Sequence, residues 1–257
     1  MRKLLVRILA AFILNKQKRK EFRKKYTTSY LYFSLFKQYK IKGKNNRIVV
    51  IENGKERLLK WYEKIKGFDI QINGDSNLIK LELPIISDNT NIIIKNHNVV
   101  INIGMSDYFH NVNIICQKGN NQVCKIGNGT TIAGASVFLD EESSLIIGKD
   151  CMLSSEITIW PIDGHAIVDK NTKQILNAAN KPIVIGNHVW IGHGTRITKN
   201  AQIGNNCIIG GGSVVCKDYK EDNVIIAGNP GKIIKWNVNW DRRNPYYLKL
   251  EQNDGVK

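Results

Sequence analysis

The stretch Ile185-Gly186-Asn187-His188-Val189-Trp190-Ile191-Gly192-His193-Gly194-Thr195-Arg196-Ile197-Thr198-Lys199-Asn200-Ala201-Gln202-Ile203-Gly204 decides the fold. A branched aliphatic residue recurs every six positions at Ile185, Ile191, Ile197, Ile203, Ile209 and Val215. The position after each holds Gly186, Gly192, Thr198, Gly204, Gly210 and Cys216. Four beyond the first five aliphatics stand Val189, Thr195, Ala201, Cys207 and Ser213, all small or β-branched. A period of six matches neither a helix nor a single strand. It fits a coil of three short flat strands, about 18 residues per turn, stacked on the next coil at about 4.8 Å. The aliphatic residue points inward, and the small residue lets the chain bend at a corner without a Cβ collision. Each coil buries its apolar side only against its neighbours, so the array must be long and capped.

The expected fold class is therefore all-β, a parallel β-helix. The motif [Ile/Leu/Val]-Gly-x-x-[small]-x belongs to the left-handed form, an exception to the right-handed crossover rule. Upstream the same phase returns with gaps, at Ile126, Ile132 and Phe138, then at Ile147, Leu153 and Ile159. The gap from Ile159 to Ile185 leaves a loop over 160–182 outside the regular part. Residues 68–125 read as looser coils, short β-runs such as Ile92-Ile93-Ile94-Lys95-Asn96 that end in Asn or Gly. Asn tolerates the left-handed corner conformation. The division expected is an arm over 1–47, a connector over 48–67, the β-helix over 68–230 and a tail over 231–257.

Of the 257 residues, 38 are Lys or Arg and 22 are Asp or Glu, a net charge of +16. With 42% apolar and 23% charged residues, a polytopic membrane protein is excluded, and the composition is that of a globular rather than a disordered chain. Five cysteines without paired spacing do not form a disulfide framework and fit a reducing compartment. Residues 1–47 hold fifteen basic residues and one acid, Glu21, so the rest of the chain carries only +2. Nucleic-acid binding needs a basic face on the folded body, and the excess lies instead on the arm.

The arm opens with an apolar run to Leu14 that Arg7 interrupts, followed by Lys16, Lys18, Arg19 and Lys20. The run is shorter than the about 20 residues that span a bilayer, and no small-residue cleavage site follows it. It reads as an amphipathic helix over residues 1–25 in contact with a membrane surface, each basic residue adding roughly 1 kcal/mol near anionic lipid. Packing on the body is the alternative. Residues 26–39, with Tyr26, Tyr30, Tyr32, Phe33, Phe36 and Tyr39, continue an aromatic, helix-compatible pattern. The location expected is cytoplasmic, peripheral on the inner face of the cell membrane.

Four segments carry a family resemblance. They are Trp160-Pro161-Ile162-Asp163-Gly164-His165, the run Asn180 to Gly192, the run Ile208-Ile209-Gly210-Gly211-Gly212-Ser213 on to Asp218, and Ala227-Gly228-Asn229-Pro230-Gly231-Lys232. Together they resemble the hexapeptide-repeat acyltransferases, specifically the sugar O-acetyltransferases of polysaccharide and lipooligosaccharide synthesis. Galactoside and maltose acetyltransferases show the same order of motifs. The likeness is specific over about 126–236 and looser over 68–125, and Asn239-Trp240-Asp241-Arg242 resembles capsule-type members.

The resemblance implies a homotrimer with an acetyl-CoA site between neighbouring subunits, a glycan acceptor and no metal. It implies that His165 is the general base. A sugar hydroxyl is a poor nucleophile at neutral pH, and a base in the imidazole range that removes its proton gives about 10²–10⁴-fold. Charge developing on the thioester oxygen needs backbone N–H donors. Asp163 either orients His165 or contacts the acceptor. Asp140 matches an acceptor-binding Asp, and Trp160 stacks on a sugar or supports the loop. Trp190 falls at an outward corner where no core awaits it, and in the family the matching Trp lies along the CoA arm. His193, Gly211, Cys216, Lys217, Lys232 and Lys235 match further acetyl-CoA contacts, the last two near the nucleotide phosphates. At His193 the family often has Ser, at Gly211 often Ala, and for Cys216-Lys217 a Thr-Lys pair.

Three other readings compete. A nucleotide-sugar or amino-sugar N-acetyltransferase uses the same base and donor, yet often carries an N-terminal nucleotide-binding domain whose Gly-rich turn is not found here. A zinc enzyme of the γ-carbonic-anhydrase type is suggested by His188 and His193, but these stand one place off in their hexads. A scaffold without activity has no need of His165, Trp190 and the Gly-Asn-Pro segment together.

Overall fold

The computed structural model describes residues 10, 13, 17–18, 20–21, 30–34 and 39–254. Three long sheets form the sides of one coil. The first face carries Phe68–Asn73, Thr90–Ile94, Val112–Cys116, Ala135–Leu139, Ile157–Trp160, Arg196–Thr198 and Val214–Val215. The second runs from Leu78–Leu83 through Val100–Ile103, Ser144–Ile147 and Ile183–Ile185 to Asp218–Tyr219. The third runs from Ile85–Asp88 through Ser106–His110, Met152–Leu153 and Trp190–Ile191 to Ile225–Ala227. The chain visits the faces in rotation, and neighbouring coils pair in parallel, as a β-helix requires.

The hexads lie where the period puts them. Ile185, Ile191, Ile197, Ile203, Ile209 and Val215 are all buried, and so are Val189, Thr195, Ala201, Cys207 and Ser213. The small polar members also satisfy corner carbonyls: Thr195 Oγ1 donates to Gly192 O at 2.7 Å and Ser213 Oγ to Gly210 O at 2.6 Å. A column of glycines stands where the second face ends. A Cβ on Gly148 would lie 2.5 Å from Gly186 O, and one on Gly186 would lie 2.6 Å from Gly204 O. Close stacking, rather than a positive φ, demands glycine there. Beside it an Asx ladder joins the coils: Asn187 Oδ1 accepts from Lys149 N at 2.8 Å, Asn205 Oδ1 from Asn187 N at 2.9 Å, and Asp222 Oδ1 from Asn205 N at 2.6 Å.

The structure departs from the sequence expectation in three places. Phe138, placed inward by the six-residue phase, points outward, and Ala135, Val137 and Leu139 are the buried residues of that strand. The register sets this, because Val137 pairs with Ile159 and leaves its neighbour on the outer surface. Leu31–Phe33, in the stretch read as helix-compatible, is a strand antiparallel to Glu63–Ile65. Lys40–Lys42 and Arg47–Glu52 pair in parallel with Phe68–Asn73 and Leu78–Leu83, so the stack takes in residues that the sequence reading assigns to the arm and the connector. The expected amphipathic helix over 1–25 lies largely outside the described residues. Among these, no helix is long and apolar enough to cross a membrane.

At each end of the stack one face finishes in a reversed strand. Lys55–Leu58 pairs antiparallel to Arg47–Glu52, and Lys232–Lys235 antiparallel to Ile225–Ala227.

Candidate functional site

The loop between Ile157–Trp160 and Ile183–Ile185 leaves the stack without disturbing it, for Ile147 still pairs with Ile185 on the second face. Its residue His165 is exposed. A polar clasp holds the backbone around it. Asn177 Nδ2 donates to His165 O at 2.9 Å and to Asp163 Oδ2 at 2.7 Å, while Asn177 Oδ1 accepts from Ile167 N at 2.6 Å. Lys199, just past the first-face strand Arg196–Thr198, reaches across to pair with Asp163 and donates to Asn177 O at 2.7 Å. Lys199 holds the Asp163 carboxyl below its ordinary range, with slight burial opposing and Asn177 adding to the effect. Asp163 thus anchors the loop to the stack, and among the described residues no side chain bonds the His165 imidazole.

The loop departs beside an aromatic pair. Trp160 is 43% exposed, and its ring lies 5.0 Å from that of Phe138 at 32°. Trp160 pairs with Thr198 one coil on. Asp140, at the same corner, caps the coil below, its Oδ1 accepting from Gln117 N at 3.1 Å and Lys118 N at 3.0 Å. His165, Asp163, Trp160 and Asp140 therefore gather where the first face turns into the second.

The residues expected to hold acetyl-CoA sit elsewhere on the coil. Trp190 opens a third-face strand and is 39% exposed. It lines a cavity of about 600 Å³ with Asp107, Tyr108, Met152 and Arg242. His193 and Gly211 stack at the corner between third and first faces, where His193 O accepts from Gly212 N at 2.8 Å. The His193 ring meets Ser155 Oγ at 2.9 Å and Glu156 at 3.5 Å. Cys216 follows the first-face strand Val214–Val215 and is exposed, and Lys217 lies over the Tyr219 ring at 5.5 Å. Lys232 and Lys235 flank the closing strand and are exposed. Within one chain, then, His165 and Trp190 hang from different faces.

Asn177 and Lys199 were missed by the sequence reading, since neither belongs to a motif and their partners lie 14 and 36 residues away. His188 is committed to Asp150 at 2.7 Å and to Trp240 O at 3.1 Å. Among the described residues no group of three His, Cys, Asp or Glu could hold a metal ion.

Residues 182–217 match the family model for bacterial transferase hexapeptide (six repeats). A polysialic acid O-acetyltransferase of Neisseria meningitidis is 34% identical over 171 residues, 66% of this chain and 77% of that protein. A polysialic acid O-acetyltransferase of Escherichia coli O1:K1 is 40% identical over 129 residues, and the chain spans only 41% of its length. Among solved structures, the polySia specific acetyltransferase NeuO superimposes with a TM-score of 0.65 at 28% identity, covering 82% of this chain and 97% of NeuO. The polysialic acid O-acetyltransferase OatWY gives 0.58 at 26% identity, covering 85% and 99%.

Proposed function

Because the chain belongs to the hexapeptide-repeat transferases, we propose that it is an O-acetyltransferase that moves an acetyl group from acetyl-CoA to a sugar hydroxyl of a capsular-type polysaccharide. Polysialic acid, named for both relatives, is the first acceptor to test. His165 takes the proton from the acceptor hydroxyl as its oxygen attacks the thioester carbonyl carbon. The carbon–sulfur bond then breaks, and the imidazolium returns the proton to the departing thiolate. Backbone N–H groups of the coil steady the oxyanion between the two steps.

The observation that carries this reading is an exposed imidazole on a loop whose backbone is clasped to the stack by Asn177, Asp163 and Lys199. A base that serves a polymer must be accessible on a loop that is held in place, and the clasp fixes the backbone at His165 while its side chain stays exposed. Trp160 and Phe138 beside the loop offer apolar faces on which a sugar ring can stack. The separation of His165 from Trp190 supports a left-handed β-helix trimer in which one copy supplies the base and its neighbour the donor wall formed by Trp190, His193 and Gly211. Lys232 and Lys235 would then meet the donor phosphates as point charges.

The test is His165→Ala in the full chain, with polysialic acid and acetyl-CoA. Turnover is expected to fall by about 10²–10⁴-fold, while acetyl-CoA binding measured by calorimetry stays within about twofold. Turnover near that of the parent removes His165 from the chemistry.

A further inference from the structure

Past the closing strand, the chain turns back along the stack. Asn223 and Val238 exchange two hydrogen bonds, Val238 N to Asn223 O at 3.0 Å and Asn223 Nδ2 to Val238 O at 3.1 Å. Two residues later Trp240 is 8% exposed, whereas Trp236 before it is 58% exposed. The Trp240 ring lies flat on the His188 ring, 4.2 Å away and 8° from parallel. Its Nε1 donates to His188 O at 2.8 Å. His188 in turn meets Asp150, and Arg242 forks onto the other oxygen of the same carboxylate at 3.1 and 2.9 Å. Arg242 also donates to Thr131 Oγ1 at 2.8 Å, Gly129 O at 3.1 Å and Cys151 O at 3.0 Å. Trp240 and Arg242 thereby fasten across three successive coils, those of His188, Asp150 and Gly129.

Ordering such a segment costs conformational entropy at every residue, and the bonds are spent where one other ring stands. Trp190 lies 6.3 Å from Trp240, with the rings at 49°. That is inside the 4.5–7 Å range in which aromatic pairs constrain each other's orientation. Arg242 and Trp190 also line one cavity. An exposed indole free to turn must be ordered when a ligand arrives, and a fixed neighbour removes that cost beforehand.

We propose that the strap Trp240–Arg242 is a positioning element of the donor half-site: Trp240, locked on His188 and held by the Asp150–Arg242 fork, sets the ring of Trp190 against which acetyl-CoA packs. This rests on the reading of Trp190 as a donor contact. Trp240 touches no reacting atom and acts through Trp190. Its loss weakens donor binding and leaves the acceptor chemistry alone.

The experiment compares the full chain with Trp240→Ala, Trp240→Phe, Arg242→Gln and Trp190→Ala, reading kcat, KM for acetyl-CoA, and near-ultraviolet circular dichroism. Two indoles at this distance and angle give a coupled signal. Trp240→Ala is expected to raise KM for acetyl-CoA about three- to tenfold with kcat within about twofold. Trp240→Phe, which keeps a ring, restores most of the donor KM. Arg242→Gln leaves both indoles in place, and is expected to weaken their coupled signal and raise KM by a smaller factor. A merely structural strap would lower the melting temperature and leave KM unmoved. If Trp190→Ala raises the donor KM and Trp240→Ala does not, the strap does not set Trp190 and the inference falls. If Trp190→Ala itself leaves the donor KM unchanged, the premise falls and takes the inference with it. Should Trp240→Ala fail to fold, Arg242→Gln decides: an unaltered coupled signal overturns the proposal.

Discussion

Between Val184 and its partner Gln202 a coil takes 18 residues, and between Trp190 and Ile208 it again takes 18. Lower in the same stack, Leu78 pairs with Val100 and Val100 with Val123, coils of 22 and 23 residues. The strands pair in parallel in both regions, and the inward residues are buried in both. The additional residues of the long coils lengthen strands and fill corners. Asn89, Asn98, Asn111 and Asn121 take positive φ there, between 55° and 61° except Asn111 at 48°. Asn89 Nδ2 donates to Asn111 Oδ1 at 2.9 Å and Asn111 N to Asp88 O at 3.0 Å, so side chains and backbone together tie these corners. Both regions use both corner devices, since Asn200 and Asn206 take positive φ in the tight coils and a Cβ on Gly74 in the wide region would collide with Asn96 O; what separates the regions is the number of residues between those corners.

The strongest way to break that contrast is at a tight corner. Gly186→Ala puts a Cβ 2.6 Å from Gly204 O, and its cost is expected at about 3 kcal/mol or more in thermal unfolding. Gly212, with φ +71° and nothing within 4 Å of a built Cβ, should cost only about 1 kcal/mol on conversion to Ala. Equal costs would show that stacking is not what requires glycine at Gly186. The wide region is sharpened by neighbours of opposite sense. Val137→Ala should lose about 2 kcal/mol, and Phe138→Ala about 1 kcal/mol or less, because only the first empties the core. The reverse order would return Phe138 to the interior.

The smallest effect belongs to the loop between the two regions. Asp163 has a depressed pKa, so its pairing with Lys199 contributes stability above the unfolded carboxylate range, and this is lost as pH falls through the folded value. The carboxylate is 39% exposed, and solvent screening keeps the contribution modest. Asp163→Asn should melt slightly below the parent at pH 7, and calorimetry should show the gap narrowing as pH falls below the ordinary carboxylate range. A gap that stays constant over that descent would deny the pair its part in holding the loop.

This division also governs what the sequence discloses. Where a coil has 18 residues, each position repeats its role six residues on, and Ile185 to Val215 can be read one by one. The six-residue phase misplaces Phe138 because its coil does not keep that phase. Arg47–Glu52 is hidden for another reason: its β-branched run Ile48-Val49-Val50-Ile51 adjoins a basic segment, and charge dominated the reading. Of the proposed site, His165 and Trp190 are legible because they lie in motifs. Asn177 and Lys199 are not, since their partners are set by where an ejected loop lands. Trp240 and Arg242 are visible as a motif, but their partners stand 52 and 92 residues away.

The reversed strands at the two ends have a consequence for self-association. A parallel stack presents at each terminus a row of backbone donors and acceptors to which another coil could add, and repeated addition would grow a fibre. Lys55–Leu58 and Lys232–Lys235 run against the prevailing direction, so the second face at one end and the third face at the other offer no template for one more parallel strand. A rung added at either end of the described stack would therefore meet a reversed strand on one of its three sides.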